Sequence, residues 1–285
     1  MTRCTTERME RPRPGGITWK IAGERLAVLT WPRAILLQFA HPLVAAGVAQ
    51  HSGFRSSPLA PFTRLHATVQ AMRQITFGTD EQAASAVGRI LTIHDRVNGG
   101  LREGVGVHTP GTPYSAHDPA LLLWVHATLL DSHVRILEHV LGPFTADDLD
   151  DYCRETAPLA LALGARAHAV PRTWQQLQEF MTGEMESGRV IVGAEARALA
   201  AAVLWPAMGR LVWPLQYAGE LVTVGALPPA IREGYGFPWN AARERRMRRV
   251  LATLRHVRAR TPDRLARWPE SLRETQRSAD LLTSE

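Results

Sequence analysis

Histidine is the residue type in this chain best placed for chemistry. There are eleven; nine lie between His41 and His139, and only His168 and His256 lie beyond. Four sit in apolar or helix-patterned segments: His41 and His51 in ILLQFAHPLVAAGVAQHS, His94 in RILTIHDRVNG and His126 in LLLWVHATLLDS. An imidazole on the apolar side of a helix costs free energy unless its nitrogens are hydrogen-bonded or bound to a metal. A single case is explained by a capping or satisfied core histidine. Four in the first half of one chain set metal or haem ligation beside that explanation.

The four differ in context. His41 precedes Pro42, whose ring removes a helical N–H and clashes with the Gln38 carbonyl, so a kink is expected there, with a free carbonyl that His41 can satisfy. His51 is followed by Ser52-Gly53 and can close its helix. His94 shares a three-and-four spacing with Val87, Ile90, Leu91 and Val97, which turns it inward. The helical neighbours of His126 are Leu122, Val125, Leu129 and Leu130, so any polar partner must come from another element. No HExxH or paired ExxH occurs, and apart from Asp95 and Asp131 the apolar helices carry few acids for a di-iron carboxylate site. The two cysteines, Cys4 and Cys153, cannot make a thiolate cluster. One histidine-ligated haem in an apolar helical pocket suits this supply of side chains better.

Helical periodicity supplies the elements that must hold these residues. Helices are expected over Thr18 to Leu29, Pro32 to His51, Pro61 to Phe77 and Thr79 to Val97, the last capped by Thr79 or Asp80. Leu101 to His117 is rich in Gly, Pro and Thr and reads as a loop. Asp118-Pro119 opens a long helix to Leu141, and Thr145 with Asp148 forms a loose capping box for the next, to Leu163. Further helices are expected over Pro171 to Ser187, Gly193 to Val203, Pro206 to Val224, Pro228 to Glu233, Ala241 to Arg260 and Ser271 to Leu282. No alternating strand or tight hairpin stands out. The expected fold is all-α: one large multi-helix domain over 17–260 with a buried, histidine-rich cofactor pocket. A disordered tail (1–16) precedes it and a basic helical extension (261–285) follows.

Composition narrows the setting. The chain is 45% hydrophobic, enough for a sizeable core. Its longest apolar candidate, Ala34 to Val48, would span roughly 22 Å, short of a ~30 Å hydrocarbon layer. The charged N-terminus lacks a signal-peptide stretch, and a cytoplasmic location is expected. From Ala241 to Glu285 there are 12 Arg against 6 acids, a surplus equal to the net charge of +6. Met247, Val250, Leu251, Leu254 and Val257 recur there at helical spacing, so the arginines read as a solvated helix face. No nucleic-acid partner is expected; weak contact with an anionic membrane surface is the remaining use of that charge.

Several segments taken together resemble the rubber-oxygenase family, which includes the latex-clearing protein and an oxygenase of mycophenolic acid biosynthesis. They are AHPLVAAGVAQHS (Ala40 to Ser52), RLHATVQAM (Arg64 to Met72), TFGT (Thr76 to Thr79), IHDRVNG (Ile93 to Gly99), YSAHDPALLLWVHATLLDS (Tyr114 to Ser132) and DLDDYCRE (Asp148 to Glu155). The resemblance covers roughly Ile17 to Arg255. It implies an all-helical fold holding one haem b with a proximal histidine, best matched by His94 and next by His126. It also implies that Arg64 and Thr68 face the haem, where a guanidinium can hold a propionate or polarise oxygen and a hydroxyl can donate to it. The latex-clearing protein can place a lysine on the distal side of the iron, where this chain has Ala67, with His66 beside it. Rubber is extracellular, so without an export signal it is not the expected substrate.

The function expected on this resemblance is a haem-dependent oxygenation of a small apolar molecule by dioxygen, with oxidative cleavage of a carbon–carbon double bond as one form. A non-catalytic haem-binding or haem-trafficking protein of the same fold is the alternative, since a fold does not fix the chemistry of its site.

Overall fold

The computed structural model describes residues 9–51, 60–205 and 212–272, apart from the side chains of residues 60–62, 64 and 65. The chain runs through α1 (Ile17–Gly23), a 3-10 helix (Arg25–Thr30), α2 (Trp31–Phe39), α3 (Pro42–His51), α4 (Ala60–Phe77) and α5 (Asp80–His94). A hairpin of β1 (Asn98–Gly100) and β2 (Pro113–Ser115) leads into α6 (Pro119–Leu141), α7 (Ala146–Leu163), α8 (Trp174–Glu186) and α9 (Ala194–Leu204). Then come α10 (Trp213–Gly225), α11 (Pro229–Gly234), α12 (Ala241–Arg260) and α13 (Asp263–Ala266). The architecture is all-α, 71% helical.

Local chemistry sets most helix starts. Thr79 and Gln82 cap α5 reciprocally, and Thr145 and Asp148 do the same for α7. Asp118 accepts from the Ala120 amide at 2.8 Å ahead of Pro119, and Asn240 accepts from the Ala242 and Arg243 amides. Each cap satisfies an amide that the first helical turn would otherwise leave unpaired.

Three expectations change in detail. The helix expected from Pro32 to His51 is two helices, because Pro42 starts a new one instead of kinking the old. The first helix leaves α geometry at Glu24, which is extended (φ −74°, ψ 126°); its carboxylate takes a two-pronged ion pair from Arg258, both contacts 2.7 Å. The segment read wholly as loop ends in β2, antiparallel to β1 with Gly99 opposite Tyr114. Strands of three residues are too short to show an alternating pattern.

α6 is the axle. Leu123, Trp124, Ala127, Leu130, Val134, Ile136 and Leu137 are all buried along it. α2 crosses it, and the Trp124 indole donates to the Leu37 carbonyl at 3.1 Å. Beside that crossing Arg33 is buried against Asp131 (2.7 Å) and donates to Ser132 Oγ (2.8 Å) and the Ala226 carbonyl (2.7 Å). Among the described residues α6 alone is long and apolar enough to cross a membrane, and most of it is buried inside the protein. Asp131, Arg135 and Glu138 break its apolar runs, which hides that average from a search for uninterrupted segments. At the amino end, residues 1–8 lie outside the described residues, and Arg11 pairs with Asp80 at 2.7 Å.

Candidate functional site

His94 occupies the last position of α5, half-buried, on the face that packs Val87, Ile90 and Leu91. Its Nδ1 is buried and has no hydrogen-bond partner among the described residues. Burial, and then the nearby His117, hold its pKa below the ordinary histidine value, which keeps the ring neutral and its lone pair available. The His117 ring meets it edge to face at 5.8 Å and is held by Asp95 through a 2.8 Å contact from Nε2 to Oδ1. α5 packs along α4, which carries Arg64 and Thr68 one turn apart. The Thr68 side chain is exposed, and that of Arg64 lies outside the described residues.

His126 sits in the middle of α6 and is buried, with a pKa pushed down to about 4 by burial alone. No ring contact or hydrogen bond joins it to His94 among the described residues. The other two of the four, His41 and His51, are occupied locally. His41 stands at the start of α3, where its Nδ1 accepts from the Leu43 amide at 3.3 Å. It therefore satisfies an amide at the break, not the carbonyl expected of a kinked helix. Burial and then His108, 5.2 Å away ring to ring, lower its pKa to about 4, as an acceptor nitrogen requires. His51 closes α3 and reaches the Tyr114 hydroxyl at 3.2 Å.

His133 was not singled out by its surroundings in the sequence. The Trp31 indole N–H, a donor only, meets its Nε2 at 3.3 Å, so Nδ1 carries the proton and donates to the Tyr152 hydroxyl at 2.7 Å. The signal that could have found it is its seven-residue spacing from His126, two helical turns along one face of α6. Among the described residues the single histidine-rich pocket expected from sequence is not shown. Imidazoles at helix ends take nearby amides and hydroxyls, which disperses them instead of converging them.

Three of the four carboxylates in the acidic-aromatic segment Asp148 to Glu155 act as caps, while Asp151 pairs with Arg154. Asp148 closes its own capping box, Asp150 accepts from the Trp174 amide at 2.8 Å to start α8, and Glu155 accepts from the Thr18 amide at 2.9 Å to start α1.

Among the described residues no group of three or more His, Cys, Asp or Glu side chains is placed to hold a metal ion. Haem brings four nitrogen ligands and asks one of the protein, so a lone unpartnered imidazole such as His94 fits its donor requirement.

The family model described as "ER-bound oxygenase mpaB/B'/Rubber oxygenase, catalytic domain" matches residues 19–256. Uncharacterized proteins of Mycobacterium bovis and Mycobacterium tuberculosis are each 25% identical over 228 residues, covering 78% of this chain and 84% of theirs. No solved structure matches. With the match running from α1 to the last turns of α12, the chain belongs to the family of mpaB-type and rubber oxygenase catalytic domains.

Proposed function

We propose that this oxygenase-family chain uses haem b, held by His94, to oxygenate a small apolar molecule with dioxygen. The observation that carries the reading is the buried, unpartnered Nδ1 of His94 on a helix packed against the one bearing Arg64 and Thr68. When bound, haem supplies an iron that binds and activates dioxygen. His94, neutral at physiological pH, would anchor the cofactor. Arg64 would hold a propionate or polarise a bound ligand, and Thr68, on the same helical face, would donate a hydrogen bond beside it. Ala67 puts no amine between them, so no lysine from this position competes for the distal side. His126, within the apolar face of α6, would line the substrate side more readily than it would ligate.

Absorption spectra of protein from haem-supplemented cells, with His94→Ala and His126→Ala variants alongside, test this. An intense Soret band lost in His94→Ala and kept in His126→Ala is expected. A colourless wild type, or a band indifferent to His94, overturns the assignment. A six-coordinate spectrum that dioxygen cannot perturb would replace catalysis with haem carriage.

A further inference from the structure

The first turn of α10 is exposed among the described residues. Trp213 is 56% exposed and Leu215 68% exposed, with Pro214 exposed between them. Residues two apart on a helix point about 200° from each other, so this is an apolar tip and not the edge of a buried face. It is also built. Trp213 stacks on Tyr217 at 5.6 Å with rings 6° from parallel, and the Tyr217 hydroxyl accepts from Arg246 of α12 at 3.0 Å. Further along, Arg243 pairs with Glu220 at 2.6 Å, which binds α12 to α10.

α12 supplies the charge. Arg243, Arg248 and Arg258 are neutralised by Glu220, Glu244 and Glu24. Arg245, Arg246, Arg249, Arg255 and Arg260 have no carboxylate partner among the described residues, and all five are exposed. Val257, on the same helix, is 54% exposed. An apolar tip that includes tryptophan, flanked by unneutralised arginines, is the chemistry of a surface that rests in the headgroup layer of an anionic bilayer.

We propose that the α10 tip and the arginine face of α12 form a peripheral docking surface for anionic membranes, with Trp213 and Leu215 entering the interface and Arg245, Arg246 and Arg249 meeting lipid phosphates. A nucleic acid would use the arginines but has no use for Leu215, Pro214 or Val257. This inference does not depend on the haem assignment.

The test is co-sedimentation of the full chain with vesicles of phosphatidylcholine alone and of phosphatidylcholine with a third phosphatidylglycerol. Binding to the anionic vesicles only is expected, with a blue shift of tryptophan emission that is absent in Trp213→Ala. Each of Arg245→Gln and Arg249→Gln should weaken binding roughly fivefold. Trp213→Ala/Leu215→Ala should weaken it at least as much while leaving thermal unfolding unchanged. Absence of binding at low salt overturns the proposal, as does binding insensitive to both sets of substitutions. Duplex DNA that competes fully while Trp213→Ala/Leu215→Ala binds normally would assign the face to nucleic acid. Trp213-dependent dimerisation in sedimentation velocity, without vesicle binding, would assign it to a second copy.

Discussion

The helices around α6 and the α4–α5 pair are built to different standards. Along α6 most buried polar groups belong to hydrogen-bonded sets, His126 apart: Arg33 with Asp131 and Ser132, Trp31 with His133 and Tyr152, Trp124 with the Leu37 carbonyl. Gln178 adds a further donor to Asp131 at 3.0 Å. On α5 only Ala83, Ala86 and Val87 are buried, and the one titratable side chain turned inward keeps an unanswered nitrogen. An unsatisfied buried group in a thinly packed element is the signature expected of a site whose ligand completes it, whereas satisfied networks specify the fold. On the proposed function, stability and chemistry are divided between two regions, and perturbing each should give a different kind of response.

The sharpest way to break that division is at Arg33. Burial lowers the pKa of its guanidinium while Asp131 opposes the shift, and the pair survives through short contacts on both sides. Arg33→Met leaves a buried carboxylate without its main counter-ion and should cost about 3–5 kcal/mol of unfolding free energy. Arg33→Met/Asp131→Leu should recover much of it, since a packed apolar pair replaces the charges. Urea titration measures both. A single variant within about 1 kcal/mol of wild type would mean that the α6 region is not the stabilising half.

Acid attacks the same region next. His41 and His133 each have a folded pKa of about 4 against 6.5 for a free imidazole. The unfolded chain therefore binds protons that the folded chain refuses between those two values. The stabilisation is complete above about pH 6.5 and is lost as pH falls towards 4, on the order of 3 kcal/mol per histidine. Unfolding free energies at pH 7 and 4.5 should show the fall. His133→Gln should be less stable at pH 7 yet flatter with pH, because its amide can occupy the Trp31–Tyr152 gap without titrating. An equal slope in both proteins would remove His133 as a source of the effect.

These regions were also unequally legible in the sequence. Caps at Thr79, Asp118 and Thr145 could be read because each is a short-range device whose donor and acceptor lie within three residues. The inward face of α5 was likewise written in its spacing. What could not be read was convergence. His133 meets Trp31, 102 residues away, and Glu155 meets Thr18, 137 residues away. No local pattern encodes such pairings. The same blindness made Asp148 to Glu155 look like one motif when three of its four carboxylates start three different helices.

That segment gives the smallest and most discriminating effect. Glu155 Oε1 lies so close to Gly16 that a Cβ added there would stand 2.2 Å from it, so the carboxylate and the start of α1 are fitted to one another. Glu155→Ala removes the acceptor of the Thr18 amide in the first turn of α1 and should cost about 1 kcal/mol, the usual worth of an N-terminal cap. It should leave the Soret band of haem-loaded protein unchanged, since Glu155 touches α1 and not α5. Were the band to shift while the unfolding free energy held, the acidic-aromatic segment would belong to the site and the boundary between the two regions would run through α7. Were stability alone to fall, the segment's place in the family pattern would rest on helix geometry, with its carboxylates holding α1 and α8 in place.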